Sequence, residues 1–190
     1  SIVLDFFYSL PLWLEIDGLR VVHACWDHDH IQTMDSLCSS HCLDRSALIE
    51  ASTKGTKAFN AIEVLLKGFE CELPLGISFH SKDGNPRTAV RVQLWKQNAS
   101  KLAEVVLHIG LDIGGAAEAL IPLNVPRYSS SQSPCFIGHY WLKGEPSPLA
   151  SNVACLDYSA AKQGKRVAYR WDGEQKLTQS KFTYAAKKAE

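Results

Sequence analysis

The amino-acid sequence predicts a layered domain of the α/β or α+β class, and three observations lead to this prediction. Apolar runs of strand length lie towards both ends of the chain, at Leu19–Cys25 and Cys135–Gly138. A segment with helical spacing of its apolar residues, Ala58–Leu66, lies between them. The chain has 190 residues, which suits one domain with a sizeable core. We therefore expect residues 1–190 to form a single domain with an insertion between its strands.

The first thirty residues are predicted to contain a helix, a turn and a strand. Apolar residues in Ser1–Leu14 are spaced nearly as on a helix. Asp17-Gly18 is a turn signal between two apolar runs, so an extended piece at Leu12–Glu15 precedes the strand Leu19–Cys25. The polar run Asp27–His30 then predicts a loop.

The later part of the chain is predicted to be mixed in its middle and rich in strands towards its end. Gly68 is expected to end the helix at Ala58–Leu66. The turn signal at Lys82–Asn85 joins two of the predicted strands. The further predicted strands are Ile77–Phe79, Thr88–Trp95, Val153–Tyr158, Arg166–Trp171 and Leu177–Tyr184.

Composition excludes several classes of partner. Twenty basic residues balance twenty acidic ones, so the chain has no charge footprint for nucleic acid or for an anionic membrane surface. No apolar run reaches the roughly 20 residues that span a bilayer. The six cysteines are scattered through a chain too long for a disulfide mini-protein, which favours reduced thiols and a cytoplasmic location.

Two histidines stand out because each follows an apolar strand. His23 comes at the end of Leu19–Cys25, and His139 comes directly after Gly138. Strands that end in histidine can deliver two imidazoles to one edge of a sheet, and imidazole is a common ligand of transition metals. Spacing alone favours a plainer interpretation, in which each is a hydrogen-bonded histidine of the core.

Several segments, in order along the chain, resemble those of bacterial calcineurin-like phosphoesterases. This family includes relatives of the phosphoprotein phosphatases and of the symmetrical diadenosine tetraphosphate hydrolases. The similar segments are Leu10–Leu14 with Gly18–Trp26, Ala61–Gly68, Gly138-His139-Tyr140-Trp141, Asn152–Ser159 and Arg166–Gly173. The resemblance implies the second half of a two-sheet β-sandwich flanked by helices, with residues about 35–130 partly a cap insertion.

The resemblance also implies a site with two divalent transition metals, which in this family are manganese, iron, zinc or nickel. The histidines matched by His23 and His139 bind the same metal in the family. The two metals activate a hydroxide that attacks phosphorus in line. The implied activity is hydrolysis of a phosphomonoester or phosphoanhydride, and the implied substrate is either a phosphoprotein or a phosphorylated small molecule such as a dinucleoside polyphosphate.

The chain departs from the family pattern because three motifs that precede the histidines are absent. These are D-x-H, G-D-x-x-D-R-G and G-N-H-[DE], which carry the bridging aspartate and the acid histidine. Two histidines alone leave a metal under-coordinated, so we expect none or one weakly bound metal in this chain. The chain is thus expected to be inactive alone, as a fragment that pairs with a missing N-terminal half or with a copy of itself. The alternative is a non-catalytic binding domain or a remnant.

Other residues are weaker candidates. Asp157 either orients a metal-binding imidazole or is an ordinary turn carboxylate. Arg87 and Arg91 either clamp a phosphate or form a solvated strand face. A His/Cys-rich stretch is expected to be a polar loop near the site, with a structural zinc site as the alternative; its members are His28, His30, Cys38, His41 and Cys42.

Overall fold

The computed structural model describes residues 2–80, 84–107 and 112–185 and contains a mixture of helices and small sheets. Its helices are α1 (Ile2–Tyr8), α2 (His28–Asp35), α3 (Arg45–Ser52), α4 (Lys57–Lys67) and α5 (Leu102–Val105). Its strands are β1 (Trp13–Ile16), β2 (Leu19–Val22), β3 (Glu70–Glu72), β4 (Phe79–His80), β5 (Pro86–Arg87), β6 (Ala89–Arg91), β7 (Cys135–Ile137), β8 (Val153–Cys155), β9 (Asp157–Tyr158), β10 (Lys165–Tyr169) and β11 (Phe182–Ala185). A mixed chain of the α+β kind is therefore confirmed.

The chain divides into two compact units. The first unit comprises Ser1–Lys67 and Ser130–Glu190, and the second comprises Gly68–Ser129. The second unit falls inside residues 35–130, which the family resemblance implies to be partly a cap insertion; that insertion stays a prediction. The assignment of residues 1–190 to one domain stays a prediction.

A four-stranded sheet in the order β1-β2-β7-β8 forms the centre of the first unit. Strands β1 and β2 are antiparallel, and the turn between them places Asp17 at φ 49° and Gly18 at φ 81°. Left-handed backbone at both turn residues matches the twist of a tight hairpin, which is why Asp-Gly signals it. Strands β2, β7 and β8 run parallel. Their carboxyl ends therefore lie at one edge of the sheet.

Helices α2, α3 and α4 pack together beside this sheet. The Asp27 side chain accepts the backbone N–H of His30 and caps α2, so the predicted loop at Asp27–His30 is wrong. An aspartate followed by three residues that extend a helix is an N-cap signal as much as a loop signal. In α4, Ala58, Ala61 and Leu65 are buried at helical spacing. The helix near Ala58–Leu66 is confirmed.

A second sheet, β11-β10-β9, covers part of the first one. Phe136 of β7 packs in a core cluster with Ala154 and Leu177, and its ring centroid lies 5.0 Å from that of Tyr169. The predicted strand Val153–Tyr158 divides into β8 and β9, which belong to different sheets. Leu177, which was predicted to begin the last strand, is buried. It lies outside that strand, because β11 begins at Phe182.

The second unit contains two small antiparallel pairs, β3 with β6 and β4 with β5. Only Ala89–Arg91 of the predicted strand Thr88–Trp95 is a strand. The turn predicted at Lys82–Asn85 begins with Lys82 and Asp83, which lie outside the described residues. In the described ranges, no helix is long and apolar enough to cross a membrane.

Candidate functional site

The parallel pairing of β2 and β7 brings His23 and His139 to the same edge of the sheet. The register joins Val21 to Phe136, so the strands end side by side. The two ring centroids are 5.3 Å apart, and the rings are inclined by 64°. His23 is exposed and His139 is half-buried. His23 is therefore not a histidine of the core, and the roles of the two histidines stay predictions.

Two hydrogen bonds hold together the segments that carry the histidines. The N–H of Gly138 donates to the carbonyl of His23 at 2.8 Å. The hydroxyl of buried Tyr140 donates to the carbonyl of Ala24 at 2.9 Å. On the other side of Ala24, its N–H donates to the carbonyl of Leu65 in α4 at 2.9 Å. The relative position of the imidazoles is thus fixed by bonds on both flanks.

His139 and Trp141 both have left-handed backbone, at φ 68° and φ 51°. Residues with a side chain seldom adopt this conformation, although histidine does so more readily than β-branched residues. Gly138 lies outside the left-handed region, and a Cβ there would contact the carbonyl oxygen of His23 at 3.4 Å. This distance is an ordinary van der Waals contact, so Gly138 leaves room for a small side chain. The sharp change of direction occurs at His139.

The spacing of the two imidazoles fits a shared metal ion. Two imidazoles on one tetrahedral zinc, with metal–nitrogen bonds of about 2.1 Å, have ring centroids roughly 5 Å apart. The observed 5.3 Å agrees with that separation. Neutral imidazole suits zinc, nickel and iron. His23 and His139 are therefore the residues that could hold one metal.

Among the residues that the structure describes, no third ligand completes a metal site with these two histidines. Within residues 2–80, 84–107 and 112–185, no group of three or more histidine, cysteine or acidic residues is placed to hold a metal ion. This includes the His/Cys-rich stretch. There His30 Nδ1 is 2.5 Å from Asp27 Oδ1, and His41 stacks on Trp13 with centroids 4.5 Å apart. Hydrogen bonds from His30 offset the effect of burial and hold the pKa of Asp27 below its ordinary value.

A cavity of about 780 Å³ runs along the open face of the four-stranded sheet and reaches both histidines. Apolar side chains form most of its walls, among them Leu14, Val21 and Phe136. Leu14 and Val21 are each 37% exposed, although they lie on strands. The sheet edge with the histidines thus borders an uncovered apolar groove.

Asp157 lies next to this edge and makes the contacts of a turn. Its Oδ1 accepts the N–H of Ser159 at 3.0 Å, and its backbone carbonyl accepts the N–H of Leu142 at 2.9 Å. The turn interpretation is therefore observed, and a role in orienting an imidazole stays a prediction. Beneath the edge, burial raises the pKa of the Cys155 thiol to about 11, which keeps this cysteine protonated and unreactive.

The two arginines predicted to bind phosphate lie in the second unit and on different strands. Arg87 is exposed on β5, whereas Arg91 on β6 donates from Nη2 to Glu70 Oε1 at 2.9 Å. The Glu70 carboxylate neutralises Arg91, which weakens its case as a phosphate ligand. A phosphate-binding role for either arginine stays a prediction.

The amino-acid sequence carries no local signal for the features that position the histidines. The Tyr140–Ala24 bond joins residues 116 positions apart in the sequence, and no local pattern signals such a contact. The left-handed conformation of His139 also left no signal, because glycine is the residue that usually marks it. Comparisons with family models, with curated proteins and with solved structures found no match to the chain.

Proposed function

We propose that this chain is the metal-binding C-terminal part of a calcineurin-like two-metal phosphoesterase. The observation that supports the proposal best is the pair His23 and His139, with centroids 5.3 Å apart at the carboxyl edge of parallel strands. The packing of β9–β11 on the four-stranded sheet, with helices alongside, also supports the second half of a two-sheet sandwich. The substrate class is a phosphomonoester or a phosphoanhydride.

In this proposal the residues of the chain bind and orient. When bound, divalent metals supply Lewis-acid activation of a phosphate ester and of water. His23 and His139 provide two neutral ligands to one of them, which adds no negative charge against an anionic substrate. The bonds from Gly138 and Tyr140 hold the two imidazoles in place. The apolar groove beside them excludes water once it is covered.

We propose that the groove is covered by polypeptide that carries the remaining ligands. The bridging carboxylate and the acid histidine have no counterpart beside the pair in the described residues. The groove is continuous with both histidines, so a segment packed there would place carboxylate and amide side chains against the same metal. The proposed occupant is therefore a segment with an apolar face and acidic residues at the sheet edge.

A second function is favoured by the absence of a third ligand among the described residues. In that case the chain is a binding domain or a remnant that keeps the histidine pair without catalysis. The two functions differ in what precedes Ser1 in the coding sequence. Upstream G-D-x-x-D-R-G and G-N-H-[DE] motifs would favour the enzyme, and a coding sequence that lacks them would favour the binding domain.

The test is hydrolysis of an aryl phosphate with manganese or zinc, by the 190-residue chain and by the longest product of its coding sequence. We expect negligible turnover by the 190 residues alone, and metal-dependent turnover by the longer product that His139→Asn abolishes. Asparagine suits the left-handed backbone, so this variant removes the imidazole with little strain.

Two results would contradict the proposal. Turnover by the 190 residues alone that disappears in His139→Asn would mean that the ligand set is complete without another segment. A longer product that carries the motifs and binds metal, yet turns over no phosphate ester, would exclude the phosphoesterase function.

A further inference from the structure

A second concave surface lies beyond the histidine pair, between the segments 142–144 and 158–165. It encloses about 390 Å³. Three lysines line it, namely Lys143, Lys162 and Lys165, and no acidic residue does so within the described part of the chain. The whole chain has equal numbers of basic and acidic residues, so this concentration of positive charge is local.

The three lysines differ in how their ammonium groups are held. Lys165 forms an ion pair with Glu145 and lies 3.9 Å from the centroid of the Tyr184 ring. Lys162 lies 4.0 Å from the centroid of the Trp141 ring. Lys143 is exposed and pairs with no acidic residue of the described chain. The lining therefore keeps two positive charges, on Lys143 and Lys162, that no carboxylate of the described residues neutralises, and the aromatic ring of Trp141 positions Lys162.

Both walls of this surface are direct continuations of the candidate site. One wall follows His139 by way of Trp141. The Cα atoms of His139 and Trp141 are at most about 7 Å apart because only one residue separates them. The other wall follows Asp157, whose carbonyl and carboxylate accept the N–H groups of Leu142 and Ser159. The wall is also tightly built, since a Cβ at Gly164 would come within 1.9 Å of the carbonyl oxygen of Tyr158.

We propose that this lysine-lined surface binds a phosphate-like anion, such as one phosphoryl group of a soluble phosphate compound. A phosphoryl group carries more than one negative charge, and the lysine ammonium group binds it as a point charge. Surface lysines most often lie on a solvated face and bind no ligand. Here they are gathered in a concavity, and Lys162 is held over an indole ring. If the proposed function holds, the surface would bind a second anionic group of a substrate whose reacting phosphoryl lies at the histidine pair.

The experiment is a titration of the ¹⁵N-labelled chain with pyrophosphate, followed by backbone amide shifts in EDTA at constant ionic strength. Inorganic phosphate and sulfate are titrated in parallel. We expect saturable shifts in residues 142–144 and 158–165, with pyrophosphate bound more tightly than phosphate because it carries more charge. In Lys143→Ala/Lys162→Ala the affinity should fall about tenfold, or about 1.4 kcal/mol.

The matched control is Lys176→Ala, which removes an exposed lysine that does not line this surface. It should bind pyrophosphate as the parent chain does, and the dispersion of each spectrum shows whether a variant is folded. Shifts spread evenly over the chain, or equal affinity in the double variant and the parent, would overturn the proposal. Because no metal is present and no turnover is measured, failure here is distinct from failure of the phosphoesterase function.

Discussion

The hydroxyl of Tyr140 donates a 2.9 Å hydrogen bond to the carbonyl of Ala24, and each of these residues directly follows one of the paired histidines. Ala24 is 2% exposed, so its carbonyl has little access to water. The bond therefore joins the ends of two parallel strands at the position where both imidazoles project from the sheet.

Removing this hydroxyl should loosen the site and destabilise the chain. Tyr140→Phe leaves a buried carbonyl without its partner, and we expect the free energy of unfolding to fall by about 1–3 kcal/mol. Urea unfolding measures this change. The matched control is Tyr8→Phe on exposed α1, which should be nearly neutral. Equal stability of the two variants would contradict the role given to Tyr140.

The left-handed backbone of His139 predicts different effects for two substitutions that both remove the imidazole. Asparagine tolerates a φ of 68°, whereas valine has two branches on Cβ and does not. We expect the free energy of unfolding of His139→Val to be at least about 1 kcal/mol lower than that of His139→Asn. Equal unfolding free energies in urea would mean that residue 139 is not left-handed.

Glu174 predicts how stability depends on pH in acid. Partial burial raises the pKa of its carboxyl, but hydrogen bonds from Lys181, the Asp172 N–H and the Tyr169 hydroxyl lower it to about 2. A folded-state pKa below the unfolded value of 4.5 gives stability that is present above pH 4.5 and is lost as pH falls towards 2.

Thermal unfolding between pH 7 and pH 2 measures this dependence. Glu174→Gln should be less stable than the parent chain at pH 7 and should lose less stability below pH 4.5. Glu50→Gln, on the exposed face of α3, should follow the parent curve. Parallel curves of stability against pH for Glu174→Gln and the parent would show that the Glu174 carboxylate contributes nothing to the pH dependence of stability.

The uncovered groove predicts association when no covering segment is present. Phe7 lines the groove and is 59% exposed, and burying apolar surface stabilises by about 25 cal/mol per Å². We expect the isolated chain to sediment as larger species with rising concentration, and Phe7→Ser to reduce this. Leu123→Ser, at a fully exposed leucine of the second unit that does not line the groove, should not. A compact monomer at every concentration would contradict an open groove that needs a cover.

The sequence allowed the edge of the sheet to be predicted because its signals are local. Apolar runs indicated the strands β2 and β7, and Asp17-Gly18 indicated the hairpin turn. Because each histidine follows its apolar run, His23 and His139 were predicted to lie together. The start of α2 was mistaken because a polar run such as Asp27–His30 suits a loop and a capped first turn equally well.

The remaining features depend on contacts between distant residues. The division of Val153–Tyr158 into two strands arises because β9 pairs with β10 rather than with β7. Arg91 was predicted to bind phosphate, but Glu70 lies opposite it across the β3–β6 ladder and accepts a hydrogen bond from its guanidinium group. Neither partner can be read from the segment that contains the residue.

Zinc titration of the chain, followed by the ¹H–¹⁵N signals of its histidine rings, tests the paired-ligand assignment most directly. Of the seven histidines, His23 and His139 should shift together at the same zinc concentration, and in His139→Asn the zinc-induced shift of His23 should be lost. If the two rings respond at different zinc concentrations, or if His23 shifts unchanged in His139→Asn, the two histidines do not share a metal and the account of this site is wrong.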